Sequence, residues 1–171
     1  MLIHSDRTIN ALLPCHLCIG YNIAMDIKQA TTPQERNELD QLLWDVLWKP
    51  LNFKRNIRES FKRNKPQIDI VAVDNNVIIG GLVANWLSNS EIEIRHIAVE
   101  TDFQKIAVGR MLVEELYGLI RDKTPLTIQT YARSTSVGFF SKLGFSPVGV
   151  RLEVDEFMQH GIWLQQMSVT K

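Results

Sequence analysis

The sequence predicts a single α/β domain built on a mixed, mostly antiparallel sheet with helices on both faces. Strand-like and helix-like patterns follow one another in the order β-α-α-β-β-β-α-β-α-β-β. A hairpin signal, "DNN", joins two early strands, so they should pair antiparallel. Residues 91–132 read as strand, helix, strand, and such a crossover predicts one neighbouring parallel pair.

Length and composition are those of a globular domain with no global charge preference. The chain has 171 residues, 45% hydrophobic and 22% charged, and its formal net charge is zero. A neutral chain is not attracted as a whole to nucleic acid or to an anionic membrane, and no apolar run is long enough to span a bilayer. We therefore predict no nucleic-acid partner and no membrane partner.

The two cysteines predict neither a zinc site nor a disulfide framework. Cys15 and Cys18 form "CHLC", and no second pair follows it to complete four zinc ligands. No strand-to-helix turn surrounds them, as a redox motif would require. We predict no metal site, and the lack of a disulfide framework favours a reducing, cytoplasmic location.

The first 24 residues differ from the rest of the chain. They show no clean periodicity, and Pro14 interrupts their apolar part. Asp6 lies where a signal peptide would be basic, so a signal peptide is not favoured. We predict an N-terminal extension at 1–24, a compact domain at 25–171, and Met25 as the natural start.

The first half of the domain begins with a strand and two helices. Residues 23–29 form the strand, and Thr32, Pro33 and Glu35 supply an N-cap, a proline at the first helical position and a capping box. One buried helix face follows, made by Leu39, Leu42, Leu43, Val46 and Leu47, and Pro50 ends the helix. Residues 52–64 predict a second, very basic helix, most simply a solvated face and alternatively a surface that attracts an anionic ligand.

The second half supplies the remaining strands and helices. Strands are predicted at 68–73, 77–87, 91–99 and 126–132, and 145–154 with 162–169 form a closing hairpin. A helix is predicted at 107–122, with an apolar face of Val108, Leu112, Leu116, Leu119 and Ile120. A short helix at 134–144 should end at Gly144.

Strand 91–99 carries an irregularity. The alternation of Ile92 and Ile94 shifts to Ile97 and Val99. Because side chains in a strand alternate with period two, such a shift is what a bulge near Arg95-His96 would produce.

The join "QKIAVG" leads from this strand into the helix at 107–122. A helix N-terminus carries free N–H groups and a partial positive charge, which together bind phosphate. Small residues at Ala107 and Gly109 allow close approach to the backbone, and Lys105 and Arg110 could add charge at the rim. Taken alone, the join fits a plain β-α connection equally well.

Two signatures in the chain resemble those of the GNAT acetyltransferase superfamily, over about residues 25–169. Val99, Gln104, Ala107 and Gly109 match the acyl-CoA signature, with Thr101, Lys105 and Ala107 departing from its proline and glycines. Arg133 and Ser136, followed by "FFSKLGF" at 139–145, match the second signature. The resemblance implies a splayed parallel strand pair whose exposed backbone, at Ile97 and Val99, holds the pantetheine arm as a further strand.

The resemblance implies that acetyl-CoA is the acyl donor and an amine the acceptor. The chain would then be an N-acyltransferase that acetylates a small molecule or peptide, and the alternative is a module that binds acetyl-CoA with little turnover. A dinucleotide-binding domain is a weaker interpretation, because no G-x-G-x-x-G follows an N-terminal strand. A homodimer is left open. The implied donor-binding residues are Ile97, Ala98, Val99, Gln104, Lys105, Ile106, Ala107, Val108, Gly109, Arg110, Ser136, Phe139, Phe140 and Lys142.

The resemblance also suggests which residue is the catalytic base, and it shows that the usual acid, a tyrosine, is absent from its position in this chain. Glu93 aligns with the general base of some family members, and Glu91 and His96 are the next candidates for that role. The alternative for Glu93 is a solvent-facing carboxylate that could pair with Arg95. Phe140 stands where many members carry a tyrosine that protonates the leaving thiolate. Two other hydroxyls could replace it, those of Tyr131, which also fits a core position, and Ser136.

The acceptor is expected over the first two helices and the closing hairpin. Trp44 and Trp48 lie four residues apart on the first helix. We expect one of them in the core and one against the acceptor. His160 reads as a turn residue rather than a catalyst.

Overall fold

The computed structural model describes residues 25–57, 59, 65–123 and 126–171, so the predicted extension at 1–24 lies outside the described residues. Within these ranges, three short 3₁₀ turns, at Lys49–Leu51, Thr101–Phe103 and Arg121–Lys123, accompany the main elements. The strands and helices are β1 (Asp26–Gln29), α1 (Pro33–Leu47), β2 (Gln67–Asp74), β3 (Val77–Ser88), β4 (Glu91–Val99), α2 (Val108–Ile120), β5 (Thr127–Arg133), α3 (Val137–Lys142), β6 (Ser146–Pro147), α4 (Asp155–Met158) and β7 (Leu164–Thr170).

The strands form one seven-stranded sheet in the order β1-β2-β3-β4-β5-β7-β6. Every neighbouring pair is antiparallel except β4 and β5, which run parallel from Glu91↔Thr127 to Ile94↔Thr130. The predicted mixed sheet, with its single parallel pair, is therefore confirmed.

The β2–β3 turn shows why the hairpin could be read from the sequence. Asn75 and Asn76 both have positive φ, 48° and 64°. Two successive left-handed residues define a type I′ turn, whose twist matches that of the flanking strands. Asparagine tolerates this conformation better than most other side chains, so "DNN" specified the hairpin.

Helices cover both faces of the sheet because the central strands are apolar on both sides. On one face, α1 packs against β3 and β4, with a core that contains Leu39, Leu43, Val71, Val83 and Ala98. On the other, α2 packs against β3 and β2, with Ile70, Leu82, Ile94, Leu112 and Leu116. Leu119 does not belong to this face, contrary to prediction: it is 41% exposed, and Val113 is buried instead.

The first helix begins at the predicted capping box. The Thr32 hydroxyl accepts a hydrogen bond from the Glu35 N–H (3.1 Å), and a Glu35 carboxylate oxygen accepts one from the Thr32 N–H (2.9 Å). Lys28 of β1 forms an ion pair with the same carboxylate (2.9 Å). These contacts lower the pKa of Glu35 to about 2 and fix the helix start against the sheet.

Two predicted elements are wrong in extent. The second helix does not begin at residue 52, because Asn52 adopts a left-handed φ of 57° and only Ile57 and Glu59 of this stretch are described as helical; residues 58 and 60–64 lie outside the described part. The predicted strand 145–154 shrinks to Ser146–Pro147 and an isolated bridge at Leu152. In the described ranges no helix is long and apolar enough to cross a membrane.

The capping box predicts a pH dependence of stability. A carboxylate with a lowered folded-state pKa stabilises the fold above its ordinary pKa of 4.5, and this contribution is lost as pH falls from there toward about 2. We expect Glu35→Gln to lower the free energy of unfolding by about 1 kcal/mol at pH 7 and by less at pH 3. Urea denaturation at the two pH values measures the difference.

The control is Glu38→Gln on the same helix, whose carboxylate accepts a hydrogen bond from Gln34 (2.8 Å) and forms no described ion pair. Its effect should be small and nearly equal at both pH values. An equal loss at pH 7 and pH 3 for Glu35→Gln would contradict the assignment.

Candidate functional site

A bulge in β4 opens the sheet beside β5. His96 pairs with Val83 and Ile94 pairs with Ala84, so Arg95 is an extra residue without a partner in β3. The ladder between β4 and β5 stops at Ile94↔Thr130. The bulge predicted near Arg95-His96 is confirmed, and so is the splayed parallel pair.

The splay exposes backbone polar groups of β4. The Glu100 N–H donates to the Ile79 carbonyl of β3 (2.8 Å). Because hydrogen bonding alternates along an antiparallel strand, the backbone groups of Ile97 and Val99 face away from β3, into the splay. The Val99 carbonyl accepts a hydrogen bond from the Gln104 side chain (3.0 Å), which ties the following loop to the strand.

The join "QKIAVG" keeps a glycine-like backbone although two of the expected glycines are absent. Lys105 and Ala107 have φ values of 68° and 70°, in the left-handed region. Ala107 is the N-cap of α2, no described side chain caps that helix, and the first helical bond runs from the Met111 N–H to the Ala107 carbonyl (3.0 Å). The N–H groups of the first turn of α2 are therefore available to an anion.

Gly109 has a packing role in addition to the close approach that the sequence suggested. A Cβ at Gly109 would lie 3.2 Å from the Phe139 ring, so the absent side chain makes room for α3. Phe139 in turn meets the edge of Phe140 (ring centroids 5.1 Å apart). The close approach of Gly109 and Phe139 holds the start of α2 against α3.

The other predicted donor-binding residues differ in exposure. The Val108 side chain is buried in the core and can offer only its backbone, whereas Ile106 is 43% exposed. Arg110 pairs with Glu114 (2.7 Å) on the surface of α2. Lys142 is exposed on α3.

A cavity of about 220 Å³ lies where β4 and β5 separate. It brings together four of the predicted site residues, Glu93, Ile97, Ser136 and Phe140. The remaining walls are Leu47, Trp48, Ile94, Arg95, His96, Thr130, Tyr131, Ala132, Arg133, Phe157 and Leu164.

Glu93 is a buried member of an ion pair. It is 1% exposed, which excludes the solvent-facing alternative, and its Oε1 lies 2.9 Å from Arg95 Nη1, as the other half of that alternative predicted. His96 also lines the cavity and meets Trp48 edge-on at 4.9 Å. Glu91 lies on the same strand but outside the cavity wall.

Trp48 and Tyr131 refine the expected acceptor side. Trp48 is only 2% exposed and also lines the cavity, so the expected core position and the cavity wall coincide in one tryptophan. Tyr131 is 41% exposed, so its prediction as a core residue is wrong, and it lines the cavity as well.

Sequence reasoning missed the significance of Arg133 and Phe157. The sequence marks Arg133 only as a signature position, and it places Phe157 in a stretch that resembles a polar loop. The Arg133 guanidinium lies over the Phe157 ring, 5.3 Å from its centroid, and burial lowers the pKa of this arginine to about 10. Period-two alternation, which puts Tyr131 and Arg133 on one face of β5, is the signal that could have found Arg133.

Comparison with known proteins identifies the family. A family model described as "Acetyltransferase (GNAT) domain" matches residues 47–171. This match covers most of the chain, and the protein belongs to the GNAT acetyltransferase family. The Uncharacterized N-acetyltransferase ycf52 of Pyropia yezoensis is 26% identical over 118 residues, which are 67% of each chain.

Solved structures support the same fold. An aminoglycoside 6'-N-acetyltransferase complexed with coenzyme A is 18% identical, with a TM-score of 0.69, over 85% of this chain and 96% of that one. A GNAT family acetyltransferase from Elizabethkingia anophelis with acetyl-CoA bound is 19% identical, with a TM-score of 0.63, over 86% and 98%. In the described part of this protein, no group of three or more His, Cys, Asp or Glu side chains could hold a metal ion.

The left-handed loop predicts an inverted effect of glycine. Left-handed φ costs a non-glycine residue about 1–2 kcal/mol, more than the flexibility that glycine adds to the unfolded chain. We therefore expect Ala107→Gly to raise the free energy of unfolding by about 0.5–1 kcal/mol, measured by urea or thermal denaturation.

Gly118→Ala is the matched control. Gly118 lies inside α2, and no other group comes within 4 Å of the position that a Cβ would occupy, so alanine should stabilise there by about 0.5–1 kcal/mol. Destabilisation by Ala107→Gly would contradict the left-handed geometry at residue 107.

Proposed function

We propose that the protein is an acetyl-CoA-dependent N-acyltransferase that moves an acetyl group to an amine of a small molecule or peptide. The observation that carries the proposal is the splay at the β4 bulge, which opens onto a cavity containing a buried carboxylate, Glu93. Two structural relatives contain coenzyme A or acetyl-CoA, which supports the choice of donor.

The donor would lie along β4 and across the start of α2. The pantetheine arm would pair with the exposed backbone at Ile97–Val99, with Ser136, Phe139 and Phe140 beside it. The pyrophosphate would bind the N–H groups at 104–110, where the dipole of α2 favours negative charge. Exposed Lys105, Arg110 and Lys142 are cations that could screen phosphate charge at the rim.

Glu93 would act as the general base. An alkyl ammonium has a pKa near ~10.4, so the acceptor must lose a proton before its nitrogen can attack the thioester carbonyl. The ammonium proton would pass to Glu93, directly or through water, and the neutral nitrogen would then attack the thioester carbonyl to form the N–C bond. A backbone N–H near Val99 would stabilise the oxyanion, and the C–S bond then breaks to release the thiolate.

The proton for the leaving thiolate has no donor at residue 140. Phe140 is 2% exposed and lacks a hydroxyl. A thiol pKa near ~8.5 makes the thiolate a tolerable leaving group without an acid. Tyr131 and Ser136, which both carry a hydroxyl, line the same cavity. If one of these hydroxyls protonates the thiolate, its removal by Tyr131→Phe or Ser136→Ala should lower kcat.

The same phenylalanine favours a second candidate function. A chain that binds acetyl-CoA but lacks the thiolate acid could serve as an acetyl-CoA-binding module with little turnover. The two candidates share the donor site and differ in whether any amine accelerates thiol release.

Donor binding is tested at residue 107, where asparagine and aspartate both tolerate left-handed φ. We expect acetyl-CoA to raise the Tm of the wild type and of Ala107→Asn. Ala107→Asp should lose most of this shift, because its carboxylate repels the pyrophosphate and itself occupies the positive end of α2. Thermal denaturation with and without acetyl-CoA, and with NAD as a control ligand, measures it. Equal shifts for the Asn and Asp variants would argue against phosphate at this loop.

Turnover is tested by thiol release from acetyl-CoA across a panel of amines. For an active acceptor, Glu93→Gln should lower kcat/KM by roughly 10²–10⁴-fold, because the amide keeps an acceptor for Arg95 but cannot take a proton. The acetyl-CoA Tm shift of this variant should remain, which separates catalysis from folding.

The surface variant Glu38→Gln is the control for a lost carboxylate. If no amine releases thiol above the hydrolysis background, the enzyme proposal fails and the binding module stands. A larger loss in Glu91→Gln than in Glu93→Gln would contradict the assignment of the base.

A further inference from the structure

The cavity between β4 and β5 contains an excess positive charge. Among the residues that line it, Glu93 is acidic, and Arg95 and Arg133 are basic. Glu93 and Arg95 neutralise each other in their 2.9 Å ion pair. Arg133 forms no ion pair with any carboxylate of the described residues, and its described contact is the ring of Phe157. One guanidinium charge therefore remains uncompensated at the cavity wall.

Arg133 faces the acceptor side of the cavity rather than the phosphate loop. Ala132 packs into the core beneath α2, so its neighbour Arg133 points to the opposite face of the sheet, the face on which α1 lies against β3 and β4. Phe157 of α4, on which the guanidinium lies, packs against Phe53 just beyond α1 (ring centroids 5.7 Å apart). Because pantetheine is uncharged and the pyrophosphate site is at the start of α2, the donor supplies no anion here.

A partly buried guanidinium favours a carboxylate as its partner. Burial lowers the pKa of Arg133 to about 10, so the group is still charged at neutral pH. A cation over an aromatic face recovers only part of the lost hydration. Two parallel N–H···O bonds to a carboxylate satisfy the planar guanidinium far better than the contact with the ring does. The ammonium group of a lysine in place of Arg133 could not make this pair of parallel bonds.

We propose that the acceptor is a small molecule that carries a carboxylate as well as the reacting amine, and that Arg133 binds this carboxylate. The proposal rests on the N-acyltransferase function proposed above. It places the amine between Glu93 and the thioester, and the carboxylate against the edge of the Arg133 guanidinium that lies over Phe157. It also predicts discrimination against polyamines, because their second ammonium group would be repelled by the positive charge of Arg133.

Matched acceptors test the charge preference. The assay compares β-alanine and 4-aminobutanoate with their primary amides and with 1,3-diaminopropane and 1,4-diaminobutane, by kcat/KM for thiol release from acetyl-CoA. We expect the wild type to prefer each carboxylate over its amide by about 10–100-fold, mainly through KM. Equal or better use of the amides or diamines would overturn the proposal while leaving the acyltransferase function standing.

Variants at residue 133 assign the preference to this arginine. Arg133→Gln should reduce the carboxylate-to-amide ratio to near one, Arg133→Lys should keep part of it, and Arg133→Glu should shift preference toward the diamines. Arg121→Gln, which removes an exposed arginine outside the cavity, should leave the ratio unchanged. An Arg133→Gln variant that loses only acetyl-CoA affinity, with its acceptor ratio intact, would overturn the proposal.

A binding measurement separates failure of this proposal from failure of the enzyme function. Calorimetric titration of 4-aminobutanoate and of its amide into protein saturated with coenzyme A requires no turnover. Tighter binding of the carboxylate, abolished by Arg133→Gln, supports the proposal even if no thiol is released. Equal binding of the two ligands counts against it.

Discussion

Arg95 has no partner residue in β3, because the register of the β3–β4 ladder shifts by one position between Val83 and Ala84. The shift rotates the rest of β4 away from β5, and the parallel ladder ends at Ile94↔Thr130. The exposed backbone of Ile97 and Val99 and the cavity both result from that separation. A regular strand would continue to pair with β5 and leave no room for a substrate.

The same irregularity concentrates charge where the sheet is otherwise apolar. Glu93 is almost completely buried, which is tolerable because Arg95, the bulged residue, lies 2.9 Å from its carboxylate. Arg133 enters the same space from β5 without such a partner and is covered by Phe157 instead. Charged side chains that are partly or fully buried in a cavity are expected at functional positions, which is why the cavity supports both the proposed base and the proposed carboxylate site.

The loop before α2 shows how a motif can change while its geometry persists. Lys105 and Ala107 stand at positions where the family signature has glycine, and both keep a left-handed φ. The strain is compensated by surrounding contacts, among them the Gln104 hydrogen bond to Val99 and the close approach of Phe139 to Gly109. A comparison of residue types alone would underestimate how closely the backbone of this loop resembles that of a phosphate-binding loop.

Local signals in the sequence determined most of the fold. The capping box at Thr32, the Asn75-Asn76 turn and the phase shift around Arg95 each depend on residues a few positions apart, so they can be read without the structure. Tertiary packing decided which distant side chains meet. It joined Arg133 to Phe157, and it gave Gly109 a packing role against α3. Contacts between residues far apart in the chain leave no periodic trace, so the composition of the cavity followed only from the folded sheet.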